Sequence, residues 1–93
     1  MSLVEGKNCL ITGATSGIGR STALALSKMG ANIFFIARNP HKAEELGKEI
    51  EEISGKVPHA IIADLSSFKQ INRAAKEYKS LNEPIDVLLN NAG

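Results

Sequence analysis

The sequence predicts an α/β fold with a doubly wound parallel sheet at its centre. Four short apolar runs alternate with three stretches of helical periodicity, in the order βαβαβαβ. The second run, Asn32–Ala37, is aromatic or β-branched over most of its length, which is typical of a strand covered on both faces. Because strands that alternate with helices are joined by right-handed crossovers, the four strands are expected to be parallel.

The first half of the chain contains a βαβ unit. A strand over residues 8–11 leads into a turn at Gly13, and a helix rich in Ala and Leu follows over residues 17–29. Gly30 is placed to end this helix before the strand Asn32–Ala37. Cys9 lies inside the first strand and is expected to be a small buried apolar residue.

The second half of the chain adds two αβ units. Asn39 followed by Pro40 predicts an N-cap with proline in the first helical position, and Ser54-Gly55 predicts the end of that helix. The apolar side chains expected to face the sheet from this helix are Ala43, Leu46, Ile50 and Ile53. A third strand over residues 57–63 then leads to Asp64.

The last helix and strand complete the pattern. Ser67 with Gln70 three residues later resembles a capping box, in which two side chains cap the same helix start reciprocally. The residues predicted to share the buried face of this helix are Phe68, Ile71, Ala75 and Tyr78. The fourth strand is predicted over residues 85–89, directly before Asn90-Asn91-Ala92-Gly93.

Composition excludes several classes of function. The 93 residues fit one small domain or a part of one, and eleven basic against ten acidic side chains give no charge footprint for nucleic acid. The apolar runs are strand-sized and no secretory signal is recognisable, so we expect no membrane segment and a cytoplasmic location. Cys9, His41 and His59 lack the spacing of a metal site.

The turn after the first strand contains three glycines in the spacing Gly-x3-Gly-x-Gly. Its residues are Thr12, Gly13, Ala14, Thr15, Ser16, Gly17, Ile18 and Gly19. Glycines between a strand and a helix let the backbone approach a pyrophosphate, and the free N–H groups at the helix start attract its negative charge. A tight turn that only allows close helix–strand packing would need the same glycines, and this alternative stays open.

Three motifs together resemble the short-chain dehydrogenase/reductase family. They are the glycine motif that begins at Thr12, Asp64-Leu65 after the third strand, and Asn90-Asn91-Ala92-Gly93 after the fourth. The resemblance spans essentially the whole chain and implies a Rossmann-like fold. It also implies that Asp64 and Leu65 lie near the adenine of a nicotinamide dinucleotide, and that Asn90, Ala92 and Gly93 support the sheet and flank the cofactor.

The choice between NAD(H) and NADP(H) depends on the residues that follow the second strand, Arg38 and Asn39. Arg38 lies near the position where Rossmann domains meet the adenosine ribose. An acidic residue there would accept from the ribose 2′-hydroxyl, whereas Arg38-Asn39 favours a 2′-phosphate. The sequence therefore predicts NADP(H) over NAD(H), with Arg20 as a second candidate cation. In the alternative, Arg38 caps strand carbonyls or stays in solvent.

Two of these assignments have structural alternatives. Asp64 is also suited to be the N-cap of a helix that begins near Ser66, and both roles are compatible at a strand end. Asn90-Asn91 has the composition of a simple turn. The residues alone leave both alternatives open.

Catalytic residues are not recognisable in the sequence. The resemblance implies hydride transfer between a nicotinamide and a carbonyl or alcohol substrate, with a Tyr-x3-Lys pair in which the lysine lowers the proton affinity of the tyrosine. The one tyrosine, Tyr78, is followed directly by Lys79 and lies in the predicted apolar stripe. We therefore expect residues 1–93 to be the incomplete, cofactor-binding opening of a longer enzyme, inactive alone.

The remaining expectations concern an alternative function and association. The alternative function is a truncated, non-catalytic dinucleotide-binding or interaction module. The apolar run Val87-Leu88-Leu89 would lie on an outer strand of a four-stranded sheet. Because exposed apolar edge strands favour association, a homo-oligomer is one expected state.

Overall fold

The computed structural model describes residues 3–91, which contain seven elements. The strands are β1 (Asn8–Thr12), β2 (Asn32–Ala37), β3 (His59–Ile62) and β4 (Val87–Asn90). The helices are α1 (Gly17–Lys28), α2 (Pro40–Ser54) and α3 (Phe68–Ser80). Their order along the chain confirms the predicted βαβαβαβ alternation.

The strands form one parallel sheet in the order β3-β2-β1-β4. β1 is hydrogen-bonded on both sides, with Thr12 opposite Ile36 of β2 and opposite Asn90 of β4. The chain therefore moves outward from β1 to β3 and then returns to the other side of β1, where the direction of winding reverses. This is the predicted Rossmann-like, doubly wound arrangement.

Helices cover both faces of the sheet, and each face has its own core. The face covered by α1 and α2 buries Cys9, Ile11, Ile33 and Phe35. The face covered by α3 buries Leu10, Phe34 and Ile61. Successive strand residues point to opposite faces, so β1 contributes to both cores and all five of its residues are buried. The expected burial of Cys9 is confirmed, and burial raises the pKa of its thiol.

β3 is shorter than predicted at both ends. Regular pairing begins at His59, opposite Phe34, and ends at Ile62. The residue before His59 is Pro58, which has no N–H to donate to a strand partner. Val57, predicted as the first strand residue, is 77% exposed.

β4 is displaced toward the C-terminus relative to the predicted strand over residues 85–89. Asp86 donates its N–H to the Asn8 carbonyl oxygen at 2.9 Å, and its carboxylate accepts from the Asn8 N–H at 2.8 Å. Because this side chain takes the place of a strand partner for Asn8, regular pairing starts only at Val87, opposite Cys9. Ile85 lies outside the strand and is 45% exposed.

The predicted ends of α2 are confirmed. The Asn39 side-chain oxygen accepts from the N–H groups of His41 and Lys42, at 2.9 and 3.2 Å, and Pro40 occupies the first helical position. Gly55 ends the helix in the left-handed conformation, with φ +74°.

The predicted capping box of α3 is only half present. The Ser67 hydroxyl oxygen accepts from the Gln70 N–H at 3.3 Å, so Ser67 is the N-cap. The Gln70 side chain does not return to Ser67, because the Ser67 N–H already donates to the Asp64 carbonyl oxygen at 3.1 Å. Gln70 instead accepts from the Asp64 N–H at 2.6 Å.

The buried helix faces are narrower than predicted. In the last turn of α2, Ile53 is 40% exposed. In α3 the buried line runs through Ala74 and Tyr78, whereas Phe68 is 87% exposed. The other two residues of the predicted α3 face, Ile71 and Ala75, flank this line and border an open apolar groove of about 270 Å³. No helix within residues 3–91 combines the length and apolar character needed to cross a membrane.

A chain of polar side chains links the amino ends of the strands. The Asn8 amide nitrogen donates to Glu83 at 3.1 Å and to the Pro84 carbonyl at 2.9 Å. The Asn8 side-chain oxygen accepts from Asn32 at 3.1 Å, and Asn32 in turn accepts from Lys56 at 3.3 Å. These bonds satisfy the buried Asn8 side chain and connect the first residue of β2 with the segments that precede β3 and β4.

Tyr78 provides a test of this packing. Its ring meets Phe34 edge-on, with centroids 5.2 Å apart, while its buried hydroxyl has no hydrogen-bond partner within residues 3–91. Tyr78→Phe keeps the ring and removes an unpaired polar group. We expect the free energy of unfolding, measured by urea denaturation, to stay equal or to rise by about 1 kcal/mol.

The pH dependence sharpens this test. Burial, followed by the nearby Glu83 and Asp86 carboxylates, raises the pKa of Tyr78 above its ordinary 10.0. Because the pKa of Tyr78 is raised in the folded state, its contribution to the free energy of unfolding is complete below pH 10.0 and is lost as the pH rises through the folded pKa. Phenylalanine does not ionise, so Tyr78→Phe should become more stable than the unsubstituted chain above pH 10.0. Tyr78→Leu, which removes the ring, should be destabilised at every pH. A loss of more than about 1 kcal/mol in Tyr78→Phe would mean that the hydroxyl is satisfied.

Candidate functional site

The carboxyl end of β1 leads into the glycine turn, whose conformation and packing require residues without a side chain. Gly13 and Gly17 have φ values of +64° and +57°, in the left-handed region that favours glycine. Gly19 is buried in the first turn of α1, and a Cβ placed on it would lie 2.0 Å from the Gly13 carbonyl oxygen. The third glycine therefore lets the helix pack directly on the turn, as the packing alternative requires.

The start of α1 differs from the starts of α2 and α3. Ser16 occupies the N-cap position in an extended conformation, yet its side chain makes no capping hydrogen bond. The N–H groups of Ile18 and Gly19 have no acceptor among residues 3–91, and the Ile18 side chain is 79% exposed. Open N–H groups at the positive end of a helix suit an anion. This feature goes beyond what packing needs, because a capped helix would pack equally well.

Two hydroxyl groups of the turn, those of Thr15 and Ser16, are not used in hydrogen bonds within the described residues. Ser16 is exposed and Thr15 is half-buried, and neither hydroxyl forms a hydrogen bond with the part of the chain that the structure describes. Both are therefore available to an anion at the start of α1.

An open cavity of about 420 Å³ lies beside this turn, at the carboxyl ends of β1, β2 and β3. Its lining residues are Gly13, Ile36, Arg38, Ala63, Asp64, Leu65 and Ser66. The cavity thus brings together the predicted residues of three separate segments. The other three lining residues, Ile36, Ala63 and Ser66, were not predicted as site residues, because none belongs to a recognisable motif.

Asp64 is held as a carboxylate in this cavity. One of its oxygens accepts from the Ser66 hydroxyl at 2.7 Å and from the Ser66 N–H at 2.9 Å. These two bonds, with a smaller contribution from the positive charge of Arg38, lower the pKa of Asp64 below its usual value. The N-cap alternative for Asp64 is wrong in detail: Ser67 caps α3, while Asp64 closes the short turn before it.

Arg38 is exposed, and its guanidinium forms no hydrogen bond or ion pair within residues 3–91. Arg38 therefore does not cap strand carbonyls within these residues, whereas its exposure is compatible with the alternative in which it stays in solvent. Arg20, the second candidate cation, forms an ion pair with Glu49 of α2. Asn39, next to Arg38, uses its side-chain oxygen to cap α2, which leaves its amide nitrogen as the group that could reach a ligand.

The ends of β1 and β4 are joined by side chains. The Thr12 hydroxyl donates to the Asn90 side-chain oxygen at 2.9 Å and accepts from the Asn91 N–H at 3.1 Å. Asn90-Asn91 is therefore tied to the strand that carries the glycine turn, which a simple turn would not require. Ala92 and Gly93 lie outside the described residues.

The described residues contain no cluster of potential metal ligands. No group of three or more His, Cys, Asp or Glu side chains within residues 3–91 could hold a metal ion. His59 instead lies 3.7 Å from Glu77, and its ring is 6.2 Å from that of Phe34.

Comparison with known proteins agrees with this geometry. The family model of the short chain dehydrogenases matches residues 7–93. Human retinol dehydrogenase 13 is 38% identical over 91 residues, which cover 97% of this chain and 28% of that enzyme. The chain thus spans less than a third of the length of that relative.

Solved structures give the same result. A short-chain dehydrogenase from Shigella flexneri in complex with NADP superposes with a TM-score of 0.89 at 32% identity, covering 99% of this chain and 39% of that one. A short-chain dehydrogenase from Escherichia coli in complex with NADPH gives 0.88 at 31% identity, with the same two coverages of 99% and 39%.

The close approach of Gly19 to the turn can be tested directly. Gly19→Ala places a methyl group against the Gly13 carbonyl, so we expect a loss of about 1–3 kcal/mol in the free energy of unfolding. Gly47→Ala is the matched control, because its new methyl group would meet only Pro58, at 3.9 Å, and alanine favours the helix. Equal stability of the two variants in urea denaturation would contradict the close approach.

Proposed function

Because the chain belongs to the short-chain dehydrogenase family, we propose that it binds NADP(H) at the carboxyl edge of the sheet. We propose further that it is the cofactor-binding part of an oxidoreductase that transfers hydride between the nicotinamide and a carbonyl or alcohol substrate. The observation that carries the proposal is the shared cavity of Gly13, Arg38 and Asp64 beside the open start of α1.

The pyrophosphate is assigned to the glycine turn. The N–H groups of Ile18 and Gly19 offer donors to phosphate oxygens, and so do the hydroxyls of Thr15 and Ser16, which form no hydrogen bond within residues 3–91. The left-handed conformation at Gly17 brings the backbone to this position without a side chain in the way. The charge of the helix dipole adds to these hydrogen bonds.

The adenosine 2′-phosphate is assigned to Arg38. Its side chain is exposed, borders the cavity and forms no hydrogen bond or close ion pair within residues 3–91, so no such bond must be broken before it binds phosphate. A guanidinium can hold a phosphate through two parallel hydrogen bonds. Arg20 is not included, since Glu49 already neutralises it. The amide nitrogen of Asn39 is a second donor at this position.

Adenine is assigned to Asp64 and Leu65. The edge of adenine presents the N6 amino donor beside the N1 acceptor. The Asp64 carboxylate is an acceptor, and the Leu65 N–H has no acceptor among residues 3–91, so the protein offers the complementary pair on adjacent residues. The lowered pKa of Asp64 favours the ionised form that accepts from the amino group.

The nicotinamide half is assigned to the end of β4. The Thr12–Asn90 hydrogen bond fixes this strand end next to the glycine turn, and we propose that Asn90, Ala92 and Gly93 flank the cofactor there. When bound, the nicotinamide supplies or accepts the hydride. No Tyr-x3-Lys pair occurs in the sequence, and Tyr78 is buried, so we assign cofactor binding rather than turnover to these residues.

Cofactor preference tests the proposal. The parent chain should bind NADPH more tightly than NADH, by roughly 10–100-fold, which is the range for hydrogen bonds to a charged group. Arg38→Asp should abolish or reverse this preference, because a carboxylate repels the 2′-phosphate and accepts from the 2′-hydroxyl. Titration calorimetry with both dinucleotides gives the two dissociation constants.

Arg20→Gln is the matched control. It also removes one guanidinium at the same edge of the molecule. Because that guanidinium is already paired with Glu49, the preference for NADPH should be retained. An unchanged preference in Arg38→Asp would remove Arg38 from this role, and a parent chain that binds neither dinucleotide would contradict the proposed function.

A further inference from the structure

We propose that Gln70 positions the adenine-binding edge of the site without touching the cofactor. This inference rests on the proposed function, because it concerns how Asp64 and Leu65 are presented to adenine. Its basis is the path of the chain after β3, where Asp64 leaves the sheet and would otherwise lack a partner for its N–H group.

The strand ladder ends just before this point. Ile62 is the last β3 residue paired with β2, and the Ala63 N–H still donates to the Ala37 carbonyl oxygen at 2.9 Å. The next N–H, that of Asp64, donates to the side-chain oxygen of Gln70 at 2.6 Å. Because successive N–H groups of a strand point to opposite sides, the Asp64 N–H points away from β2, to the side of the outer strand β3 on which the described sheet has no further strand. A side chain from the first turn of α3 thus supplies the acceptor on that side.

The same region of α3 fixes the chain on both sides of Asp64. The Asp64 carbonyl oxygen accepts from the Ser67 N–H at 3.1 Å. One turn further along the helix, the Arg73 guanidinium donates to the Ile62 carbonyl oxygen. The backbone of Asp64 therefore has both of its polar groups held by the start of α3.

These contacts leave two polar groups without a hydrogen bond on two adjacent residues that line the cavity. One carboxylate oxygen of Asp64 is bound by Ser66, while the other has no hydrogen bond within residues 3–91. The N–H of Leu65 also lacks an acceptor within those residues. Rotation of the backbone at Asp64 would move both groups together, and the Gln70 bond opposes that rotation.

Gln70 has a conformation that a purely capping residue would not need. A capping-box glutamine turns back to the N–H of the N-cap residue, here Ser67. Gln70 instead reaches three residues further back, to Asp64. Only its amide oxygen can accept from an N–H, so the orientation of the amide is fixed by the contact.

The test compares adenine with hypoxanthine. Nicotinamide hypoxanthine dinucleotide phosphate, in reduced form, has a carbonyl in place of the amino group and a hydrogen on N1, which inverts both groups of the recognised edge. We expect the parent chain to bind NADPH about ten-fold more tightly than this analogue in fluorescence titrations. Gln70→Met, of similar length but with only a weakly accepting thioether in place of the amide oxygen, should reduce the ratio to about three-fold or less. Gln70→Glu, which keeps an acceptor oxygen, should retain most of it.

A residue that only stabilised α3 would weaken the binding of both dinucleotides equally and leave their ratio unchanged. If the parent chain prefers NADPH over the hypoxanthine analogue and Gln70→Met keeps the same ratio of dissociation constants, the role of Gln70 is overturned. A parent that binds both dinucleotides equally overturns it as well, because the adenine edge is then not read. Only a parent that binds neither contradicts the proposed function itself. Thermal unfolding of each variant separates altered recognition from loss of the fold.

Discussion

The arrangement of the site depends on the position of β1 in the middle of the sheet. β1 pairs with β2 on one side and β4 on the other, and its five residues are buried from both faces. Because all of these pairings are parallel, the carboxyl ends of the strands meet at one edge. The glycine turn, Arg38 and Asp64 each follow a strand, so the sheet assembles them from distant parts of the sequence.

The amino and carboxyl ends of the strands differ in how their polar groups are hydrogen-bonded. At the amino edge, Asn8, Asn32 and Lys56 satisfy one another in a polar chain. At the carboxyl edge, α1 starts without a side-chain cap, and Arg38 forms no hydrogen bond or close ion pair within residues 3–91. A missing N-cap bond typically costs about 1 kcal/mol. We interpret this cost as the consequence of leaving N–H groups free for an anion, since α2 and α3 of the same chain are both capped.

The order of elements and the glycine turn could be predicted because they depend on local signals. Hydrophobic period, Asn39-Pro40 and the glycine spacing each act within a few residues. The ends of the strands could not be predicted from local signals, since the start of β4 depends on the hydrogen bond between Asp86 and Asn8, which lie far apart in the sequence. The narrow buried face of α3 likewise depends on how the helix lies on β3, which helical periodicity does not determine.

The same distinction applies to the site. Arg38 was predicted from its place after the second strand, and Asp64 from the family resemblance together with its place after the third. The two residues line the same cavity. The pairing of Arg20 with Glu49 was missed, because two helices must pack before these side chains meet. The hydrogen bond of Gln70 was predicted wrongly for a related reason. Its side chain could accept from the Ser67 N–H or from the Asp64 N–H, and only the path of the chain after β3 places the Asp64 N–H within reach.

The central claim is that the carboxyl edge of this sheet binds NADP(H). Nuclear magnetic resonance of the labelled chain during titration with NADPH tests it most directly, because each backbone amide reports its own surroundings. Saturable shifts should appear at Ile18, Gly19 and Leu65, while the amides of Asn8 and Lys56 at the opposite edge stay unchanged. Shifts confined to the amino edge, or no saturable shift at millimolar NADPH, would contradict the account.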